Sequence, residues 1–182
     1  MIIKVDGYVA KPLDLTYANP AEMAESAWKA RMIVKRCSEH EAFFSDYMKD
    51  SPAARQAVID TLSKPDALLW EVWSLDDNGE CLDLCGILRL SELLPRCNAK
   101  AHYFFFDGDL RSKTKLLQAW KEWGFNVAGL HRVTIEIPAH AHALATHARR
   151  KLGFVDEGCM RDAIKWRGKW HDIYILGCLS DG

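Results

Sequence analysis

"ARRKLGFVDEGCMRDAIKWRGKWHDIYILGCL", residues 148–179, decides the fold. A helical pattern over "AHALATHARRKLG" (141–153) puts Ala141, Leu144, Ala145, Ala148 and Leu152 on one face, and Gly153 follows as a helix terminator. Phe154 then enters a strand around "FVDEGCMRDAI", Arg167-Gly168 makes a turn, and "HDIYILGCL" returns as a second strand. Helix, glycine, buried aromatic and hairpin form one continuous unit.

Working backward, "HRVTIEI" (131–137) alternates Val133, Ile135 and Ile137 and reads as a strand. "SKTKLLQAWKEWGF" (112–125) spaces Leu116, Trp120 and Trp123 as the buried face of a helix. "ALLWEVWSL" (67–75), "CLDLCGILRLSEL" (81–93) and "NAKAHYFFFD" (98–107) are strands. Asn78-Gly79 turns the first into the second, and "LLPRCNA" separates the second from the third. Near the start, "MIIKVDGYVAK" reads as one strand with a bulge or turn at Gly7. Asn19-Pro20 and Ser51-Pro52 each pair a cap with a first-turn proline, predicting a helical block that includes "AEMAESAWKARMIVKR" and "HEAFFSDYMKD". The expectation is a single α/β domain over 1–182.

Composition narrows the function classes. The chain has 182 residues, 24 basic and 25 acidic, for a net charge of -1. That balance predicts no bulk affinity for nucleic acid or anionic membrane. No apolar run approaches the ~20 residues of a membrane helix. The apolar start is broken by Asp6 and Gly7, so no signal peptide is expected. The six cysteines show no CxxC pair and read as reduced thiols of a cytoplasmic protein. Among the histidines, His140 and His142 diverge on a helix and His147 lies two turns on, so no metal site is expected.

Four segments in order resemble the GNAT superfamily of acyl-coenzyme A-dependent N-acyltransferases, nearest its subgroup acetylating ribosomal-protein N-termini. "CGILRL" (85–90) resembles the strand with G-x-x-x-L, and "AHYFFFDGDLRSKTKLLQAW" (101–120) the strand, phosphate loop and helix. "GLHRVTIEI" (129–137) and "ARRKLGFVDEGCMRDAIKWRGKWHDIYILG" (148–177) resemble the subgroup's next strand and its ending. The resemblance implies a mixed, mostly antiparallel sheet, splayed at its centre and flanked by helices. It also implies transfer of an acetyl or other small acyl group from acetyl-CoA to a primary amine, a protein N-terminus among the candidates. Monomer and homodimer both stay open.

The resemblance also assigns candidate residues. The splayed strand maps to Ala101–Phe106 and would aim backbone N–H groups at the thioester oxygen. On it, His102 and Tyr103 are candidate bases, and Phe104, Phe105 and Phe106 line core and cleft. The phosphate turn R/Q-x-x-G-x-G/A maps to Arg111–Leu116. Here Arg111 is kept, while Thr114 and Leu116 replace the small residues. Cations on Arg111, Lys113 and Lys115, and hydroxyls on Ser112 and Thr114, would meet the pyrophosphate at a helix start. His142 is a candidate contact to the pantetheine arm. Loss of both glycine positions supports a second reading, a binding or structural protein that keeps the fold without the reaction.

Overall fold

The computed structural model describes residues 1–13, 28–36, 56, 67–106 and 109–180. Among them, strands β1 (Ile3–Val5), β2 (Tyr8–Pro12), β3 (Leu68–Leu75), β4 (Cys81–Leu94) and β5 (Asn98–Phe105) come first, with helix α1 over 28–36 between β2 and β3. Helix α2 (Thr114–Asn126), β6 (Arg132–Pro138), a short 3-10 turn (Ala139–Ala141), α3 (His142–Lys151), β7 (Val155–Trp166) and β8 (Lys169–Leu179) follow. The strands form one sheet in the order β1-β2-β3-β4-β5-β6-β8-β7. Among the described residues only β5 and β6 pair in parallel.

The start differs from its sequence reading. "MIIKVDGYVAK" is a hairpin rather than one strand, with Val5 opposite Tyr8 across Asp6-Gly7. Gly7 takes φ +76, a left-handed conformation that an Asp-Gly turn supplies cheaply. Of the helical block read from Asn19-Pro20 onward, α1 carries the part around "WKARMIVKR". The Asn19-Pro20 cap, "HEAFFSDYMKD" and Ser51-Pro52 lie outside the described residues.

The opening segment folds as read. Helix α3 ends where Gly153 takes φ +77 and the N–H of Phe154 bonds back to Ala148 O at 3.2 Å. Phe154 is buried there with Leu152, Leu116, Leu117 and Trp120. Alternation along β5 divides the core. Ala99, Ala101, Tyr103 and Phe105 belong to the cluster of α2 and α3, whereas Phe104 joins the cluster of Ala30, Ile33 and Val34 from α1.

Two features position the site. Pairing between β5 and β6 covers only Asn98–Lys100 against Arg132–Thr134. From Ala101 onward β5 pairs with β4 alone, so the sheet opens into a splay. The other feature is Gly86, which pairs with Phe105. A Cβ at Gly86 would run into Phe104 O and the ring and Cα of Phe105. The glycine of "CGILRL" thus lets β4 close on the strand that borders the splay.

Candidate active site

The splay sets the backbone chemistry. In an antiparallel strand, successive residues turn their N–H and C=O groups alternately to either neighbour. Past Lys100, the groups of β5 that face β6 have lost their ladder partner. Such a row suits an extended chain of amides and a developing oxyanion.

His102 lies on β5, opposite Arg89 of β4. Its Nε2 is 3.0 Å from Oγ of Ser91, which is buried. The residue as a whole is exposed, while its contact with Ser91 is partly buried. Desolvation comes first, then the charges of Arg89 and Lys100, and together they bring its pKa down to about 4. Opposing them are Glu136 and Glu92, which Lys100 bridges at 2.9 and 3.0 Å. His102 is therefore neutral at physiological pH, with one N–H and one lone pair able to receive a proton.

Tyr103 points to the opposite face. Its hydroxyl is buried without a hydrogen-bond partner, and burial pushes its pKa up, above the ordinary phenol value. Burial keeps the Tyr103 phenol neutral, a form that donates a hydrogen bond more readily than it takes a proton. It lines a cavity of about 20 Å³ with Leu90, Ala101, Leu117, Trp120, Val133 and Phe154. That space holds about one water. Phe104 and Phe106 contact each other edge-on at 5.8 Å on the α1 face, while Phe105 is 6.4 Å from Tyr103 on the other.

The turn before α2 carries the remaining candidates, and most of its polar groups have partners. Asp109 Oδ1 accepts the N–H groups of Arg111 (3.1 Å) and Ser112 (3.4 Å). Hydrogen bonding from Ser112, its hydroxyl first and then its N–H, holds the Asp109 carboxyl below its ordinary value. Ser112 Oγ is 3.0 Å from Tyr8 Oη. Lys113, a cation expected to meet the pyrophosphate, is fully buried. Its Nζ donates to Asp109 O (3.1 Å) and Ser112 Oγ (3.3 Å), and lies over the Tyr8 and Phe105 rings. Lys115 is exposed and pairs with Asp6 at 3.0 Å.

Thr114 opens α2, its Oγ1 2.8 Å from Arg111 O and 2.9 Å from His147 Nε2. Leu116 faces the core with no exposed surface, so it presents nothing to a ligand at the helix mouth. Of the basic residues here, Arg111 is exposed, as is His142 at the start of α3.

The structure therefore gathers Arg111, Ser112, Lys113 and Thr114 in one turn and places Phe105 beneath it. His102 stands apart, three residues up β5 from Phe105, or about 10 Å at ~3.3 Å per residue. Sequence reading missed Ser91, Asp109 and the bond from His147 to Thr114. Ser91 could have been noticed as a lone hydroxyl in the apolar run "GILRLSELL". Asp109 could have been noticed as an Asx-turn former two residues before Arg111. Nothing local signalled His147, because its partner is 33 residues away. Arg149 is paired with Asp156 at 2.7 and 2.8 Å. His140 stacks on Trp166 at 4.4 Å, and among the described residues no three His, Cys, Asp or Glu converge on a metal site.

No family model and no curated protein matches the chain. Solved structures do match. RimL, a ribosomal L7/L12 alpha-N-protein acetyltransferase in complex with coenzyme A, superposes with TM-score 0.70 at 18% identity, covering 100% of this chain and 99% of that one. A GNAT-family acetyltransferase from Bacillus anthracis gives 0.70 at 14% identity with 100% of both chains covered. A spermidine N-acetyltransferase SpeG chimera, from Vibrio cholerae and hSSAT, gives 0.69 at 15% identity with 95% of both covered. End-to-end superposition on these structures shows that the chain has the GNAT acetyltransferase fold.

Proposed function

We propose that this chain is an N-acyltransferase, moving an acetyl or other small acyl group from acyl-coenzyme A to a primary amine. The observation that carries the proposal is the splay between β5 and β6, with neutral His102 on β5 and the α2 turn at the end of that strand. In this reading 1–182 is one catalytic domain acting in the cytoplasm as a monomer or homodimer. Freed N–H groups of β5 polarise the thioester carbonyl, and Phe104, Phe105 and Phe106 keep the strand end dry. Arg111, with the Ser112 and Thr114 hydroxyls and Lys115, meets the phosphates, and His142 lies in reach of the pantetheine arm. A protein N-terminus is the favoured acceptor, supported by the likeness to RimL, which acts on such a terminus.

Acetyl-coenzyme A is expected to stabilise the protein. At a hundredfold excess over Kd the gain is about 2.7 kcal/mol. For a domain of this size that raises Tm by roughly 5–10 °C. Differential scanning fluorimetry with millimolar acetyl-coenzyme A and an adenosine control decides. An unchanged Tm would leave the binding or structural reading in possession of the fold.

That second reading has its own observation: the turn already holds an anion of its own. Asp109 occupies the two N–H groups that a phosphate would otherwise use. In the catalytic reading the carboxylate competes with phosphate, and its charge opposes entry. Asp109→Asn keeps an oxygen acceptor and removes the charge. Coenzyme A should then bind about fivefold tighter at low salt, from ~1 kcal/mol of relieved repulsion in water. Calorimetric titration at two salt concentrations checks this. Equal affinity in both proteins would mean that phosphate does not approach this turn.

A further inference from the structure

Ser91 interrupts an apolar strand. Leu88 and Leu90 beside it are buried, and so is Ser91, at 4% exposure. A hydroxyl in that position needs a partner. Its Oγ finds one 3.0 Å away in His102 Nε2. The sheet builds this contact. Ser91 pairs with Lys100, and Arg89 pairs with His102, so serine and histidine are diagonal neighbours across β4 and β5. Directly after Ser91 the register slips before Leu94, and Glu92 takes φ 51. A bulge of this kind re-aims the side chains beside it.

A neutral imidazole has one N–H and one lone pair to place. With Nε2–H donated to Ser91, the lone pair sits on Nδ1 and is free to take a proton. The other tautomer would spend the lone pair on the serine and leave an N–H that can accept nothing.

We propose that Ser91 is a positioning residue for His102, accepting its Nε2–H and thereby keeping the Nδ1 lone pair for the acceptor nitrogen's proton. The proposal rests on acyl transfer from a thioester to an amine. The amine nitrogen bonds to the carbonyl carbon, and the proton it sheds goes to Nδ1. The C–S bond then breaks, and the thiolate leaves with the electron pair. The imidazolium keeps its Nε2–H on Ser91 and releases the Nδ1 proton to solvent.

Nitrogen-15 histidine spectra of the whole protein test the hold on the ring, with His102→Gln identifying the signal. The expected spectrum at neutral pH has an unprotonated Nδ1 and a protected, downfield Nε2–H. In Ser91→Ala that protected proton is lost, kcat falls about tenfold and the amine KM is unchanged. Ser91→Thr keeps the hydroxyl and restores both, and it carries the test if the alanine variant fails to fold. A proton found on Nδ1 in the parent protein overturns the proposal. So does an Ser91→Ala protein with unaltered spectrum and kcat. If the protected Nε2–H depends on Ser91 while no amine is acylated, the hold on His102 is supported and the acyltransfer reading fails.

Discussion

Replacing His102 by Gln is expected to lower kcat by about 10²- to 10⁴-fold, the span of a general base, while the thermal shift with acetyl-coenzyme A is kept. The magnitude follows from what the imidazole must do. With its pKa down at about 4, His102 is a weak base towards a free ammonium ion. Once a neutral amine has attacked, its nitrogen carries positive charge next to an electron-poor carbon and is far more acidic. A weak base on the spot then suffices. It follows that the rise of kcat/KM with pH between 6 and 9 reports the acceptor amine, not His102. A break near 7.7–8.0 marks an α-amino acceptor, and a continued rise towards ~10.4 marks a lysine-like amine. The same lowered pKa has a sign in stability. Between the unfolded value of ~6.5 and about 4 the unfolded chain binds the extra proton, so His102 makes stability fall with falling pH through that window. A glutamine variant with parental kcat removes His102 from the reaction.

The fold was legible because its signals were local. Gly153 at φ +77, the Asn78-Gly79 turn and the alternation of "HRVTIEI" are set by neighbours in sequence, and each element formed where it was read. At the N-terminus the sequence leaves Gly7 open as a bulge or a turn, and Asp6-Gly7 makes the two-residue turn of a hairpin. Site residues were harder, since their roles depend on which way a side chain turns. "RSKTKLL" shows three cations within five residues, yet Lys113 folds inward over Tyr8 and Phe105 while Lys115 turns to Asp6. "HYFFF" shows a histidine and a tyrosine side by side, and strand alternation sends them to opposite faces. One meets polar groups and the other a small apolar cavity. Pairings such as Thr114 with His147 join segments that only the finished sheet brings together.

Leu116→Gly is expected to destabilise the protein by about 3–5 kcal/mol, a Tm fall on the order of 10 °C. The resemblance alone would treat this position as a crowded glycine of the phosphate turn, to be relieved at small cost. The structure makes it a core anchor instead. Leu116 has no exposed surface and clusters with Leu117, Trp120, Phe105 and Phe154. Removing its side chain leaves a cavity between α2 and the sheet, and the glycine adds backbone entropy in the first turn. Thr114→Gly behaves differently. It gives up the Thr114 hydroxyl bonds to Arg111 O and His147 Nε2, worth about 1 kcal/mol each. That loss is tolerable, and it clears the backbone at the helix mouth. Tighter coenzyme A binding by Thr114→Gly would show that crowding there limits the site, whereas the Leu116 variant can only loosen α2. Matching melting curves for Leu116→Gly and the parent would contradict the packing of α2. The position of the turn before α2 over Phe105, which depends on that helix being seated, would fall with it.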